Sequence, residues 1–187
     1  MQQRDEQAPP KAQLRMIWPE RLLGTPPVVS LPDGYLLRNY TADDEEHYLD
    51  LIEKAGFGRW SQNRITENLQ KIIPGGFFVI EHQSSGKLVA TALANHRPLA
   101  DIPFGGELGW VAADPQHAGK GLGRAVCAAA VNRLLQAGYR HLYLLTDDFR
   151  LPAIKIYLRL GFRPDCYCDG MQERWDALFT ALSWGKD

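Results

Sequence analysis

The stretch Val111-Ala-Ala-Asp-Pro-Gln116-His-Ala-Gly119-Lys-Gly121-Leu-Gly123-Arg124 holds the strongest indication of the fold. It joins a predicted strand at residues 107–113 to a predicted helix that begins near Leu122. Glycine at three alternate positions lets the backbone turn tightly and come close to a ligand. A helix N-terminus leaves N–H groups unpaired, and its dipole favours an anion there. The stretch therefore predicts a pyrophosphate-binding turn, to which Lys120 and Arg124 add positive charge.

Two other classes of phosphate-binding turn do not match this spacing. A P-loop requires Ser or Thr directly after its lysine, whereas Gly121 follows Lys120 here and leaves a magnesium ion without that ligand. A dinucleotide-binding turn requires Gly-x-Gly-x-x-Gly early in a βαβ unit. Here the spacing is Gly-x-Gly-x-Gly, and predicted antiparallel hairpins precede it.

Working outward from this stretch, the order of predicted elements is strand, two helices, three strands, helix, strand, helix, short strand and helix. Strands are predicted at residues 35–40, 77–81, 87–93, 107–113 and 139–146. Helices are predicted between Thr41 and Gly56 and at residues 61–72, 122–137 and 153–160, with a last one from Asp169 onward. This order indicates an α/β (α+β) fold with a mixed, mostly antiparallel sheet flanked by helices.

Residues 1–33 are predicted to form a proline-rich N-terminal arm, followed by one domain at residues 34–187. The arm holds six of the twelve prolines. Because proline fixes φ and removes a hydrogen-bond donor, we expect neither regular helix nor a central strand in this segment. Its apolar residues are too many for a free tail, so we expect the arm to pack on its own domain or on a partner. These residues are Leu14, Met16, Ile17, Trp18, Leu22 and Leu23.

Composition narrows the classes of partner and compartment. The 187 residues suit one domain plus an arm, and the net charge of -1 gives no general attraction to nucleic acid or to an anionic membrane. No apolar run approaches the roughly 20 residues of a membrane span, and residues 1–6 show no signal-peptide pattern. An odd count of three cysteines argues against a disulfide framework, and Cys166-x-Cys168 lacks further zinc ligands. We expect a cytoplasmic protein without a metal.

Two separated motifs resemble those of the GNAT superfamily of N-acetyltransferases. The first is Gln116-x-x-Gly119-x-Gly121 after a strand, which resembles the family's coenzyme A-binding motif Gln/Arg-x-x-Gly-x-Gly/Ala. The second is the run Ala-Ile-Lys-Ile-Tyr-Leu-Arg-Leu-Gly-Phe at residues 153–162, which resembles Ala-Ile-x-Leu-Tyr-x-x-Leu-Gly-Phe. The resemblance extends over residues 107–162.

The resemblance implies acetyl-coenzyme A (acetyl-CoA) as cosubstrate, no metal, and a specific set of coenzyme-binding residues. Strand backbone at Val111, Ala112 and Ala113 would pair with the pantetheine arm. N–H groups of the turn would hold the pyrophosphate; the residues are Gln116, Ala118, Gly119, Lys120, Gly121, Leu122, Gly123 and Arg124. Arg150 stands where the family often has a coenzyme-binding Asn, and an arginine there could reach a phosphate instead. Ala153, which opens the second motif, completes the set.

Two residues are catalytic candidates by the same resemblance. Tyr157 matches the family's general acid, and a phenol with an ordinary pKa of about 10 can protonate a departing thiolate at neutral pH. Glu107 aligns with an acidic residue that serves some members as base, directly or through water; the alternative is a solvated carboxylate at a strand end. Weaker candidates for the base are His82, His96, Asp147 and Asp148, of which the last two could simply cap a helix.

The predicted activity is direct transfer of acetyl to a primary amine, without a covalent enzyme intermediate. The acceptor class stays open among small molecules, peptides and proteins, and a homodimer is also left open. A non-catalytic sensor of acyl-coenzyme A is the alternative, although a sensor has no need of Tyr157. After Phe162 the chain shows one short strand and a helix instead of the family's usual final pair of strands. We therefore expect the acceptor side to differ from that of better-known members.

Overall fold

The computed structural model describes residues 12–185, without the side chain of Gln62. Its strands are β1 (Leu14–Ile17), β2 (Tyr35–Asn39), β3 (Ile72–His82), β4 (Lys87–His96), β5 (Gly105–Ala113), β6 (His141–Thr146) and β7 (Arg163–Asp165). Its α-helices are α1 (Glu45–Ile52), α2 (Gln62–Leu69), α3 (Leu122–Gln136), α4 (Leu151–Leu160) and α5 (Met171–Leu182). All seven strands form one sheet in the order β2-β3-β4-β5-β6-β1-β7. Every neighbouring pair is antiparallel except β5 and β6, which confirms the predicted fold class.

The sheet is covered on both faces because its strands alternate apolar side chains between two cores. On β3, for example, Val79 belongs to one buried cluster and its neighbour Ile80 to the other. The smaller cluster joins the sheet to α1 and α2, and the larger one joins it to α3, α4 and α5. The cleft described below therefore opens between layers that are already packed.

Strands β5 and β6 separate soon after they meet. Their parallel pairing covers only Gly105 to Glu107 on β5, opposite His141 to Tyr143 on β6, although β5 runs on to Ala113. On the other side of β5 the register with β4 shifts between Thr91 and Leu93, and Trp110 has a positive φ of 45°. A bulge of this kind bends a strand and increases its twist. The β5 edge beyond Glu107 is thus turned toward a cleft instead of toward a neighbouring strand.

The expectation that the N-terminal arm contains no central strand is wrong for four residues. Residues 14–17 form β1, which lies between β6 and β7 and pairs with both. The strand fits within the proline-free gap between Pro10 and Pro19, so the proline argument did not apply there. Leu14 and Met16 are fully buried in the larger core, while Arg15 points the other way and forms ion pairs of 2.6 Å with Asp101 and Asp165.

Helix α2 is shorter than predicted. It ends at Leu69 instead of at residue 72, and Pro74 and Gly75, which would stop a longer helix, lie inside β3. The pairing of β3 with β4 shifts between Ile72 and Phe77, so these two residues occupy an irregular part of the strand. Proline is tolerated at such a position because no regular ladder hydrogen bond is lost there.

Some sequence-based predictions concern residues outside the described part of the chain. The residues concerned are 1–11, for which the sequence predicts no signal peptide, and 186–187 at the end of the predicted domain. Among the helices between residues 12 and 185, none combines the length and apolar character that crossing a membrane requires.

Candidate active site

The predicted pyrophosphate turn joins β5 to α3. Gly119 and Gly121 both have positive φ, 79° and 78°, which L-residues with a side chain rarely adopt. The turn is exposed, and a Cβ added at either glycine would have no neighbour within 4 Å. Gly121 is the N-cap of α3, a helix of 15 residues whose first N–H groups have no intrahelical partner. The exposed turn and the unpaired N–H groups at the start of α3 leave open space, and the binding of a pyrophosphate there stays a prediction.

Fewer backbone N–H groups of the turn are available to a ligand than the motif predicts. The Gln116 N–H donates to the Asp114 carboxylate at 2.9 Å, and the Ala118 N–H donates to the Pro115 carbonyl at 3.2 Å. Asp114 is buried and also accepts from Lys54 at 3.3 Å, which holds the start of the turn in place. N–H groups that can face a ligand thus begin after Ala118.

Gly123 serves a different purpose from the two glycines of the turn. It lies in the first turn of α3, and a Cβ there would come within 3.1 Å of Cδ1 of Ile156 on α4. The absence of a side chain lets the two helices pack closely, which brings the start of α4 next to the turn. Arg150 is the N-cap residue of α4, and Ala153 lies in its first turn.

Positive charge is held near the turn by a small aromatic cluster. The ammonium of Lys120 lies 5.4 Å from the ring centre of Tyr35, whose hydroxyl is 2.8 Å from Nδ1 of His117. Burial, and then the nearby charge of His82, lower the pKa of His117 below its ordinary 6.5, so its ring is neutral near pH 7. Arg124 is exposed on the first turn of α3. The positive charge beside the turn therefore comes from Lys120 and Arg124, and not from His117.

The N-terminal arm also reaches this region. A cavity of about 400 Å³ lies between the arm and the turn, lined by Val28, Ser30, Leu31 and Pro32 of the arm together with Lys120, Gly121 and Arg124. The carbonyl of Pro27 accepts a hydrogen bond of 3.0 Å from the Asn132 side chain on α3, which fixes the arm along that helix. The arm thus forms one wall of the cavity beside the predicted anion position.

A second, smaller cavity of about 130 Å³ lies where β5 and β6 separate. It brings together the two catalytic candidates, Glu107 and Tyr157, with the predicted coenzyme-binding residues Val111, Arg150 and Ala153. Ala112 is buried on the face of β5 covered by α1 and α2, and Ala113 pairs with Ala90 of β4. Cavity and turn are therefore joined by the same strand.

Glu107 is only 4% exposed, yet it borders the cavity. Its Oε1 accepts from Arg97 at 2.6 Å and its Oε2 accepts from the Asn95 amide at 3.1 Å. The alternative that Glu107 is a solvated carboxylate at a strand end is therefore wrong, because the carboxylate is buried and both of its oxygens accept hydrogen bonds. Arg97 was not singled out from the sequence, since a lone arginine beyond a strand carries no distinctive pattern.

Tyr157 lies on α4 and is 6% exposed, with its ring packed edge-on against Phe162 at a centroid distance of 6.4 Å. Its side chain borders the same cavity as Glu107. Burial raises the pKa of the phenol above its ordinary 10; the nearby Cys127 raises it further, while Arg150 lowers it. The phenol is therefore protonated throughout the neutral pH range and able to donate a proton.

Part of the cavity wall comes from residues that were not predicted from the sequence as site residues, among them Phe57 and Gln13. Arg150 donates to Asp147 at 3.2 Å, and its guanidinium lies over the ring of Phe57 at 4.2 Å. Asp147 had been considered only as a weak candidate for the base. Gln13 reaches the cavity from the segment just before β1, where a proline-rich arm had been expected.

The described residues hold no group of three or more His, Cys, Asp or Glu side chains that could bind a metal ion. Cys127 is buried on α3, and Cys166 and Cys168 are exposed; none of the three forms a disulfide. His82 bonds to hydroxyls in the β3–β4 turn, and His96 lies 2.9 Å from the hydroxyl of Tyr139. Asp148 accepts from Arg174 at 3.0 Å.

The sheet thus separates close to the glycine turn and the start of α3, and the buried phenol of Tyr157 borders the separation. The chain belongs to the GNAT acetyltransferase family, whose sequence model matches residues 36–162. It is similar to the mycothiol acetyltransferase of Thermobispora bispora, with 34% identity over 161 residues, 79% of this chain and 54% of the relative. It is also similar to that of Kocuria rhizophila, with 32% identity over 72% of this chain and 48% of the relative. The chain thus spans about half the length of these curated relatives.

Solved structures show the same fold at lower identity. A GCN5-related N-acetyltransferase from Sphaerobacter thermophilus superposes with a TM-score of 0.61 at 22% identity, over 82% of this chain and 48% of that one. The ribosomal-protein-S18-alanine N-acetyltransferase of Escherichia coli gives 0.54 at 23% identity, over 69% and 77%. The protein yncA of Salmonella typhimurium, solved with acetyl-CoA, gives 0.57 at 18% identity, over 70% and 80%. At these identities the likeness concerns the fold.

Proposed function

We propose that the protein transfers an acetyl group from acetyl-CoA directly to the primary amine of a small-molecule acceptor. The observation that carries the proposal is the shared cavity: Tyr157 and Glu107 border one space, at the point where β5 leaves β6. Proximity of donor and acceptor in such a space would supply much of the rate acceleration. No covalent enzyme intermediate is required.

The described residues fit an elongated donor with a pyrophosphate. The open turn at Gly119 and Gly121, the uncapped start of α3 and the two nearby cations suit the pyrophosphate. Strand β5, from Val111 to Ala113, connects that position to the cavity and offers backbone groups along the split edge. Arg150 borders the cavity, where its charge could reach a phosphate.

The two catalytic candidates have complementary tasks in this proposal. The acceptor nitrogen attacks the thioester carbonyl, the acetyl C–S bond breaks, and the sulfur departs as a thiolate that takes up a proton. Tyr157 stabilises the developing thiolate by donating its phenolic proton or a hydrogen bond. Glu107 takes the proton that the attacking nitrogen loses, directly or through a water molecule, while Arg97 and Asn95 hold the carboxylate in position.

A small acceptor is favoured over a protein lysine by the size and lining of the cavity. Its volume is about 130 Å³, and its walls include aromatic, ionic and aliphatic side chains. Relatives with 32–34% identity are named for a small molecule, mycothiol. Because the chain covers about half of their length, their substrate is a candidate for testing and no more.

Release of free thiol from acetyl-CoA in the presence of a panel of small amines tests the proposal. Activity with at least one amine, abolished or strongly reduced in Tyr157→Phe, is the expected result. The rival proposal of a non-catalytic sensor expects tight binding of acetyl-CoA by calorimetry with no amine-dependent thiol release. That outcome across the whole panel would overturn the enzymatic proposal.

A further inference from the structure

We propose that Gln13, brought to the cavity by β1, is a specificity-determining residue that recognises a hydroxyl group next to the acceptor amine. The inference rests on the proposed acetyl transfer for its choice of ligand. Gln13 and Asp147 border the same cavity as Glu107 and Tyr157. Its amide Nε2 donates to Oδ1 of Asp147 at 3.0 Å.

Sheet register is the reason that Gln13 meets Asp147. The antiparallel pairing of β1 with β6 places Leu14 opposite Thr146, so the preceding residue of one strand faces the following residue of the other. Leu14 is anchored in the core with no exposed surface. The position of Gln13 therefore follows from a buried strand, and it does not depend on a free loop.

Contacts from the C-terminal part of the chain hold this segment further. The hydroxyl of Tyr167 donates to the Gln13 carbonyl at 2.7 Å, and Arg174 donates to the Ala12 carbonyl at 2.8 Å. The guanidinium of Arg15 lies 4.3 Å from the centre of the Tyr167 ring and also pairs with Asp165. These contacts hold the backbone at Gln13, and the bond to Asp147 orients its side-chain amide beside the cavity.

The chemistry of this wall suits an amine that carries a hydroxyl group. A carboxamide has two N–H donors and an acceptor oxygen, and a single donor is used in the bond to Asp147. The unused donor and the oxygen match a hydroxyl, which both donates and accepts. Asp147 lies beside it, and its carboxylate, which Arg150 pairs with at 3.2 Å, has lone pairs that can accept a hydrogen bond from an amine N–H. An acceptor with vicinal amine and hydroxyl groups would satisfy both side chains.

A matched pair of acceptors tests the inference: 2-aminocyclohexanol and cyclohexylamine, which differ by one hydroxyl. Their dissociation constants are measured by calorimetry with coenzyme A present, and kcat/KM is measured by thiol release. One net hydrogen bond corresponds to a preference of about threefold to tenfold for the amino alcohol in the wild type. Gln13→Ala and Gln13→Met, the second of which keeps the chain length, should lose that preference through a higher Kd and KM, with kcat unchanged.

The control is Gln83→Ala, which removes an exposed carboxamide in the β3–β4 turn, outside the cavity. It should keep the preference. All three variants should match the wild type in melting temperature and in affinity for coenzyme A, because the Gln13 side chain is exposed and its anchoring contacts are made by the backbone carbonyl.

The outcomes separate this inference from the proposed function. A preference that survives in both Gln13 variants overturns the inference, as does a wild type that binds neither amine or binds both equally. Turnover with an unchanged preference would leave the transferase proposal standing and remove Gln13 from acceptor recognition. Binding with a Gln13-dependent preference, but without any thiol release, would support the recognition site and overturn the enzymatic proposal.

Discussion

Replacing Tyr157 with phenylalanine removes one oxygen atom from the wall of the cavity and keeps the ring. The packing of that ring against Phe162 is therefore retained, and we expect the melting temperature to change little. If the phenol acts on the departing thiolate, its interaction is made in the transition state far more than in the ground state. The variant should accordingly lose kcat while its affinity for coenzyme A stays nearly unchanged.

The size of the loss can be bounded from the surroundings of Tyr157. Burial raises its pKa above 10, whereas an ordinary alkyl thiol has a pKa of about 8.5. Complete proton transfer to the thiolate is then uphill by at least about 2 kcal/mol, at 1.36 kcal/mol for each pKa unit. Hydrogen-bond donation, with the proton moving partly, is the stronger contribution. The loss in kcat should therefore lie near the lower end of general-acid effects, at about 10²-fold.

The raised pKa also predicts the pH dependence. Because the folded-state pKa lies above the ordinary value, the phenol keeps its proton as the pH rises from 6 to 9. The wild-type rate should show no alkaline decline from loss of this acid in that range. Steady-state kinetics with a matched acceptor, calorimetry with coenzyme A and thermal melting are the assays. A loss of less than about threefold in kcat, well below the general-acid range, would refute the assignment.

Three further changes test other parts of the structure. Gly121→Asp should weaken coenzyme A binding by more than about tenfold, because it places negative charge at the predicted anion position. Gly121→Ala has the same strain from positive φ and should lose less affinity. Equal affinity of Gly121→Asp and the wild type in calorimetry would contradict this site. Glu107→Gln should lower kcat about 10²-fold at pH 7, with recovery as the pH rises and the fraction of free amine grows; an unchanged pH profile in this variant would remove Glu107 as the base. Asp44→Asn should lower the free energy of unfolding by about 2 kcal/mol at pH 7, because hydrogen bonds from Arg38 lower the pKa of Asp44 from 3.8 to about 2. This stabilisation is present above about pH 4 and is lost as the pH falls toward 2. Urea unfolding measures the difference in free energy of unfolding between variant and wild type, and a difference that does not shrink in acid would count against this explanation.

The elements that the sequence could predict are those whose cause is local. Helix α3 was expected from Leu122 and begins there, because a glycine at positive φ precedes an uninterrupted apolar period. The strands predicted at residues 77–81 and 87–93 form the antiparallel β3–β4 hairpin, and the turn between them contains Gly86 at a φ of 65°. The resemblance to the GNAT family could be found in the sequence for the same reason, because the glycine turn and the run at residues 153–162 are each one continuous stretch of chain.

Long-range pairing explains what was missed. Nothing within Leu14–Ile17 indicates that its partners are Tyr143–Thr146 and Arg163–Asp165, because a four-residue strand is too short to show a period and its hydrogen bonds reach distant residues. Proline statistics describe the backbone at each proline and could not exclude a strand in the gap between two of them. The place of Gln13 in the cavity follows from that pairing and from the contacts of Tyr167 and Arg174 with the same segment.

The cavity shows the same division between local signal and tertiary structure. The order of strand, glycine turn and helix could be predicted from a short contiguous stretch, and so could the candidates Glu107 and Tyr157. The separation of β5 from β6 after Glu107, and the hydrogen bonds from Arg97 and Asn95 to its carboxylate, depend on long-range packing and appear only in the folded chain. The physical reason is that a turn is specified by backbone torsions along a few residues, whereas a cleft between strands is specified by where pairing stops, which depends on every layer packed around it.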